Sequence, residues 1–214
     1  MDELELLKRD WKKKEGSFNQ ITEKEIYGML HKRSSSIVKW ILIISILEII
    51  FWSLLNFFTS DENYSKTLEM YHIKTFSTVV NSINYLVIFY FIYLFYNNFK
   101  KINTTDSVKG LMQNIIKTRK TVKYYVWFNL FMFFVGLVVV LVAQFFYDPN
   151  ITHFIENLKT KNINENNLYA IIVVIYIFIV GISIFIFWLF YKLLYGILLK
   201  RLNNNYKELE KMDL

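Results

Sequence analysis

Long apolar runs alternate with charged segments along this 214-residue chain. Four runs, at about 37–58, 76–96, 124–147 and 168–191, are almost free of charge. Each exceeds the roughly 18 residues that mark a membrane span. Inside lipid the backbone must satisfy its own hydrogen bonds, and within one segment only a helix does so. Pro149 is the sole proline and there are six glycines, so little interrupts long helices. The pattern predicts an all-α fold, an integral membrane four-helix bundle with cytoplasmic amphipathic helical extensions.

The segments between the runs are patterned too. Leu4, Leu7 and Trp11 recur at helical spacing beside Lys8, Lys12 and Lys13, so residues 1–15 read as an amphipathic helix. Gly16-Ser17 breaks it. Thr22-x-x-Glu25 is a capping box ahead of Ile26, Met29 and Leu30, and Ser34-Ser35-Ser36 is the expected bend at the membrane. In the 97–123 loop, Thr105 or Asp106 is positioned to cap a helix with Val108, Leu111, Met112, Ile115 and Ile116 on its apolar face. That helix either lies on the membrane surface or runs into the third span. Its basic face carries Lys109, Lys117 and Lys120. Residues 193–199 continue the helical pattern past Lys192, and 148–167 has room for a helical turn around Phe154 and Ile155. The expected division is a cytoplasmic segment 1–36, a four-span domain 37–199 and a cytoplasmic tail 200–214.

Charge orients this arrangement. Nine basic residues precede or edge the first run, seven lie in the 97–123 loop and five follow the fourth run, 21 of the 25 in all. The two remaining loops carry only Lys66, Lys74, Lys159 and Lys161, next to six acids, Asp61, Glu62, Glu69, Asp148, Glu156 and Glu165. By the positive-inside rule both termini and the 97–123 loop are cytoplasmic. The net charge of +7 then sets topology and meets anionic lipid; without a recognition fold it does not indicate nucleic acid. A charged segment of about 36 residues precedes the first run, unlike a signal peptide, so that span is expected to stay in the mature protein. Aromatic residues flank the runs, among them Trp40, Tyr124, Tyr125, Trp127 and Tyr147, as interfacial belts do.

Composition excludes several chemistries. There is no Cys, hence no disulfide, thiolate metal site or cysteine nucleophile. His31, His72 and His153 are scattered, without ligand spacing, so no metal and no cofactor are expected. No phosphate-binding glycine loop, HExxH or GxSxG occurs.

Glu48 is the one acid inside a run. A carboxylate at the bilayer centre costs on the order of 2.5–3.5 kcal/mol on insertion scales, so it should face other helices and be hydrogen-bonded or protonated. Ser45, Glu48, Trp52 and Asn56 share a face of the first span; Ser77, Asn81 and Asn84 share one of the second. Aligning the antiparallel runs by their ends puts Asn84 within about 3 Å of the depth of Glu48. The expected intramembrane polar cluster is therefore Glu48, Ser45, Asn56, Asn81 and Asn84. It reads first as interhelical glue, with a protonated Glu48 donating to Asn84, and second as a proton or cation site. Gly136 and Gly181 are expected to mark close helix packing between the third and fourth spans.

The opening residues 2–13, Asp2 to Lys13, and the run from His31 to Trp40 resemble a family of uncharacterised multi-pass membrane proteins of the Bacteroidota. Some of its members are labelled beta-carotene 15,15'-monooxygenase. Propeller-type carotenoid cleavage needs iron on four His, and membrane oxygenases need clustered His boxes. Three scattered His supply neither, so the residues do not support that activity. The expected function is a non-enzymatic bacterial inner-membrane protein with a regulatory, sensory or scaffolding role through its cytoplasmic face. Leu4, Leu7 and Trp11 form the expected partner surface. The alternative is a small transporter or channel component using the intramembrane carboxylate. The expected partners are the lipid bilayer and a cytoplasmic protein, with no nucleic acid; a homo-oligomer is compatible with the sequence.

Overall fold

A computed structural model describes residues 22–159 and 165–212, together with Glu5, Lys8 and Arg9. Among the described residues the chain is helical and has no strand. The order is α1 (Glu23–Thr59), α2 (Glu62–Met70), α3 (Lys74–Asn103), α4 (Val108–Tyr147), α5 (Pro149–Lys159), α6 (Glu165–Tyr191), a π-helical turn (Lys192–Gly196) and α7 (Ile197–Glu210). Four helices are long and apolar enough to cross a membrane: α1, α3, α4 and the continuous Asn167–Glu210 helix that spans most of α6, the π turn and α7. Leu4, Leu7 and Trp11 lie outside the described residues.

Local sequence explains the helix starts. The Thr22 hydroxyl accepts from Glu25 N–H, and the Glu25 carboxylate accepts from Thr22 N–H, forming the expected capping box. The cap of α4 is Ser107 rather than Thr105 or Asp106; its Oγ accepts from Gly110 N–H. The Thr104 and Thr105 hydroxyls are occupied at the end of α3, donating to backbone oxygens of Lys100 and Lys101. A Cβ at Gly110 would lie 2.8 Å from Ser107 Oγ and from Thr105 Cγ2, so the cap needs a glycine there.

Two junctions differ from expectation. The bend at Ser34–Ser36 is not formed, and α1 runs unbroken through it. Ser34 and Ser35 are buried: Asn205 Nδ2 donates to Ser34 Oγ at 3.0 Å, and Ser35 Oγ donates to Asn103 Oδ1 at 3.0 Å. The small hydroxyls therefore join helices. The turn expected near Phe154 is an 11-residue helix, α5. For the 97–123 loop, the second of the two expected forms is found, a helix continuous with the third long apolar one.

The buried core is concentrated at the basic end of the bundle. Val38 and Ile41 of α1, Phe95 and Ile102 of α3, Leu111, Ile115 and Val122 of α4, and Leu202 and Leu209 of α7 are all fully buried. Several lie beyond the charge-free runs. The apolar stretches of α3, α4 and α6 expose large side chains such as Leu86, Trp127, Phe131, Ile177 and Phe178. A helix that is apolar all round yet exposed needs an apolar surrounding.

At the opposite end, Tyr71 Oη donates to Asp148 Oδ2 at 2.8 Å, tying the α2–α3 turn to the α4–α5 junction. His72 holds the turn in the left-handed region (φ 55°), which lets Ile73 N–H reach Leu68 O at the end of α2. The Tyr71 hydrogen bond and the Asn150 amide hold the Asp148 carboxyl below its ordinary range, while burial and the Asp148 charge push the Tyr71 phenol up to about 12. The depressed carboxyl contributes stability above its unfolded value of about 4, lost as pH falls through its folded value. The raised phenol contributes below about 10, lost as pH rises through its folded value. Tyr71→Phe is expected to cost about 1 kcal/mol near neutral pH. Thermal unfolding across pH should show that deficit shrink below about pH 4; a deficit unchanged at pH 2 would refute the latch.

Candidate functional site

Glu48, on α1, is 6% exposed. Three tyrosine hydroxyls converge on its carboxylate. Tyr125 Oη of α4 donates to Oε2 at 3.0 Å, and Tyr195 Oη of the π turn donates to the same oxygen at 2.9 Å. Tyr191 Oη, at the end of α6, donates to Oε1. All three tyrosines are 2% exposed or less. A hydrogen bond contributes roughly 0.5–1.5 kcal/mol net, and three of them converging on one side chain pin α1, α4 and α6 to one point. Phe91 and Phe95 of α3 pack edge-on against Tyr125, with ring centroids 5.4 Å apart in each case. All four long helices thus meet at the cluster.

The cluster forms one wall of a cavity of about 260 Å³. Asn56, Asn81, Asn84 and Asn129 line it, and so do Trp52, Tyr85, Phe133 and Phe187. Asn56 and Asn81 are exposed, and Glu48 is buried. The cavity therefore runs from an amide rim to an acidic floor. Asn129 Nδ2 is held by the Tyr125 carbonyl at 2.8 Å, whereas Asn84 Oδ1 is buried without a hydrogen-bond partner.

Of the five polar residues expected together, Glu48, Asn56, Asn81 and Asn84 line this cavity and Ser45 does not. Ser45 Oγ donates to Leu42 O of its own helix. The expected bond from Glu48 to Asn84 is absent, and the tyrosines occupy the carboxylate instead. The reason is register. Glu48 stands level with Tyr125 and Tyr191, whose neighbours Lys123 and Lys192 end the apolar runs of α4 and α6. Phe91 is the α3 residue at Tyr125, and Asn84 lies seven residues, about 10 Å, further along. The apolar run of α1 begins early because Ile37, Val38 and Ile41 are buried in protein, so run ends do not mark equal heights.

The close packing expected at Gly136 and Gly181 is not found. A Cβ at either position would have no atom within 4 Å. Gly136 lines the cavity, where a missing side chain leaves space. Tyr125 had the sequence signature of an interfacial belt, and Tyr191, Tyr195 and Asn129 carried no signal except that Tyr191 and Tyr195 share one helical face.

The three His are apart. His31 Nε2 contacts Ile102 O at 2.8 Å, His72 packs on Tyr147, and His153 lies 3.6 Å from Glu156. Among the described residues, no group of three or more His, Asp or Glu side chains comes together as a metal site.

A family described as a domain of unknown function, DUF8845, matches residues 24–214. The chain belongs to the DUF8845 family. The match begins at the first turn of α1 and takes in all four long helices, so the tyrosine-bound Glu48 and its cavity lie wholly within the DUF8845 region. No curated protein and no solved structure matches the chain.

Proposed function

We propose that this DUF8845 protein is a non-enzymatic protein of the bacterial inner membrane, with both termini in the cytoplasm, that plays a regulatory, sensory or scaffolding role through its cytoplasmic face. A source in the Bacteroidota and the four-span topology belong to the same reading. The observation that carries it is the fully buried core at the basic end, built from α1, α3, α4 and α7. A chain that needed only to span lipid would not require a packed body there. Between α1 and α7 that body presents a groove lined by Met29, Lys32, Arg33, Trp40, Leu198 and Arg201, apolar and basic together. The amphipathic segment bearing Leu4, Leu7 and Trp11 adjoins it in sequence. The scattering of the three His supports a non-enzymatic role and weighs against carotenoid oxygenation.

Reporter fusions test the topology. Fusions at Asn103 and at the C-terminus are expected to read cytoplasmic, and fusions at Asn63 and Asn162 external. A cytoplasmic signal from Asn63 would break the four-span arrangement. Cross-linking and affinity purification test the role: a cytoplasmic protein should co-purify with the full chain and be lost from Leu7→Ala/Trp11→Ala without loss of membrane insertion. Undiminished recovery with that variant would remove the N-terminal partner surface.

The cavity favours a second reading, a transporter or channel component using Glu48. Proton or cation flux in liposomes that Glu48→Gln abolishes would decide for it.

A further inference from the structure

We infer that the Glu48 cavity binds a small organic monocation, an alkylammonium group held between the Glu48 carboxylate and the aromatic walls of Trp52, Tyr85, Phe133 and Phe187. This deepens the sensory reading by naming the class of ligand sensed, and it rests on that reading for its purpose but not for its chemistry.

Charge is the first consideration. No Lys, Arg or His lines the cavity, and among the described residues no ion pair involves Glu48. The tyrosine hydroxyls contribute dipoles without cancelling a unit of charge. Removing a carboxylate from water without a counter-charge costs several kcal/mol, and a bound cation offsets that cost. The cavity therefore selects cations and rejects anions.

Hydrogen-bonding capacity is the second. An ionised carboxylate has about four acceptor sites. Three are taken by tyrosine hydroxyls, two on Oε2 and one on Oε1. The Trp52 indole also hydrogen-bonds the carboxylate, so every donor around it is neutral and none supplies a counter-charge. Asn84 Oδ1, buried and without a partner, is a second acceptor in the same lining.

Shape and wall chemistry narrow the class. Six aromatic residues line the space, the four above with Tyr125 and Tyr191. Aromatic faces attract cations, Trp most strongly, and quaternary or alkylated ammonium groups are their usual ligands. A divalent metal instead gathers six or more oxygens, commonly from several carboxylates, and this lining holds one. The volume of about 260 Å³ lies below the roughly 300–1,000 Å³ of sites for drug-sized ligands, which suits a compact head group.

The test uses the full chain purified in mild detergent. Trp52 is in the cavity wall, so tryptophan emission reports occupancy. Titration with tetramethylammonium chloride should give a saturable change that Trp52→Phe removes. Sodium chloride at equal concentrations, and the neutral neopentyl alcohol, should give none. Glu48→Gln, verified as folded by its thermal transition, should bind at least 100-fold more weakly. Phe133→Leu keeps the carboxylate and is expected to weaken binding roughly three- to thirty-fold, the range of one cation–π contact. An equal response to neopentyl alcohol or to sodium, no saturable response at all, or unchanged affinity in both variants would overturn the assignment. Failure of partner capture with tetramethylammonium binding intact would instead count against the sensory role alone.

Discussion

Glu48→Leu is expected to lower the unfolding free energy of the purified protein by about 2–4 kcal/mol, well beyond the loss of a single interhelical hydrogen bond. One such bond in a membrane protein averages about 0.6 kcal/mol. Here one substitution strands three buried hydroxyls from three positions, Tyr125, Tyr191 and Tyr195. Each buried hydroxyl left without an acceptor costs roughly 1–3 kcal/mol, reduced where it can turn to another oxygen. Glu48→Gln keeps the shape and one carbonyl acceptor but offers an amide donor to a hydroxyl that also donates. Its loss is expected near 1 kcal/mol, since one bond must be remade. Thermal unfolding of both variants in the same detergent checks the order. Equal losses, or a smaller loss for Leu, would show that the tyrosines do not depend on the carboxylate. The pair also separates structure from activity. If Glu48 serves only to pin the helices, the Gln variant keeps function; if transport needs the titratable group, that variant folds and is inactive.

The second large effect is expected far from the cavity. Leu202 of α7 is fully buried in the basic-end core, and Leu193 is 60% exposed. Leu202→Ala should destabilise by about 2–5 kcal/mol, the usual range for a buried leucine. Leu193→Ala should change stability by less than about 0.5 kcal/mol. Amide exchange gives a finer check: Leu202→Ala should accelerate exchange across 23–45 and 197–210 before it does so in the outer half of α6. Uniform acceleration would mean that the basic-end body is no separate centre of stability.

Much of this architecture could be read from hydropathy. The four apolar runs correspond to the four long helices, and the Thr22–Glu25 box begins α1 as its spacing implied. Helix continuity was harder to read. Ser34 and Ser35 look like a break in one dimension, yet they are the small polar residues through which α1 meets Asn205 and Asn103. The site was legible in part. Glu48 stands out because an acid in an apolar run is costly, and three amides of its cavity follow from helical spacing. Its true partners do not. A tyrosine at the end of an apolar run looks the same whether it faces lipid headgroups or a buried carboxylate, and only the relative height of the helices distinguishes the two. That height depends on which apolar residues cover one another and which cover lipid, a difference that hydropathy does not encode.

The π turn at Lys192–Gly196 has a consequence for how α6 and α7 can differ in facing. A wide turn accommodates one residue more than a regular helix would, and such single-turn bulges arise as one-residue insertions. If the same residues were wound as regular α-helix, everything after them would be rotated by about 100°. Leu202 and Leu209 would swing out of the core, and Asn205 would leave Ser34. The extra residue thus works as a phase shifter between a largely exposed apolar surface and a packed, buried one. Tyr191, just before the turn, and Tyr195, within it, both donate to Glu48. Rewinding that turn as regular α-helix would therefore also displace Tyr195 from Glu48.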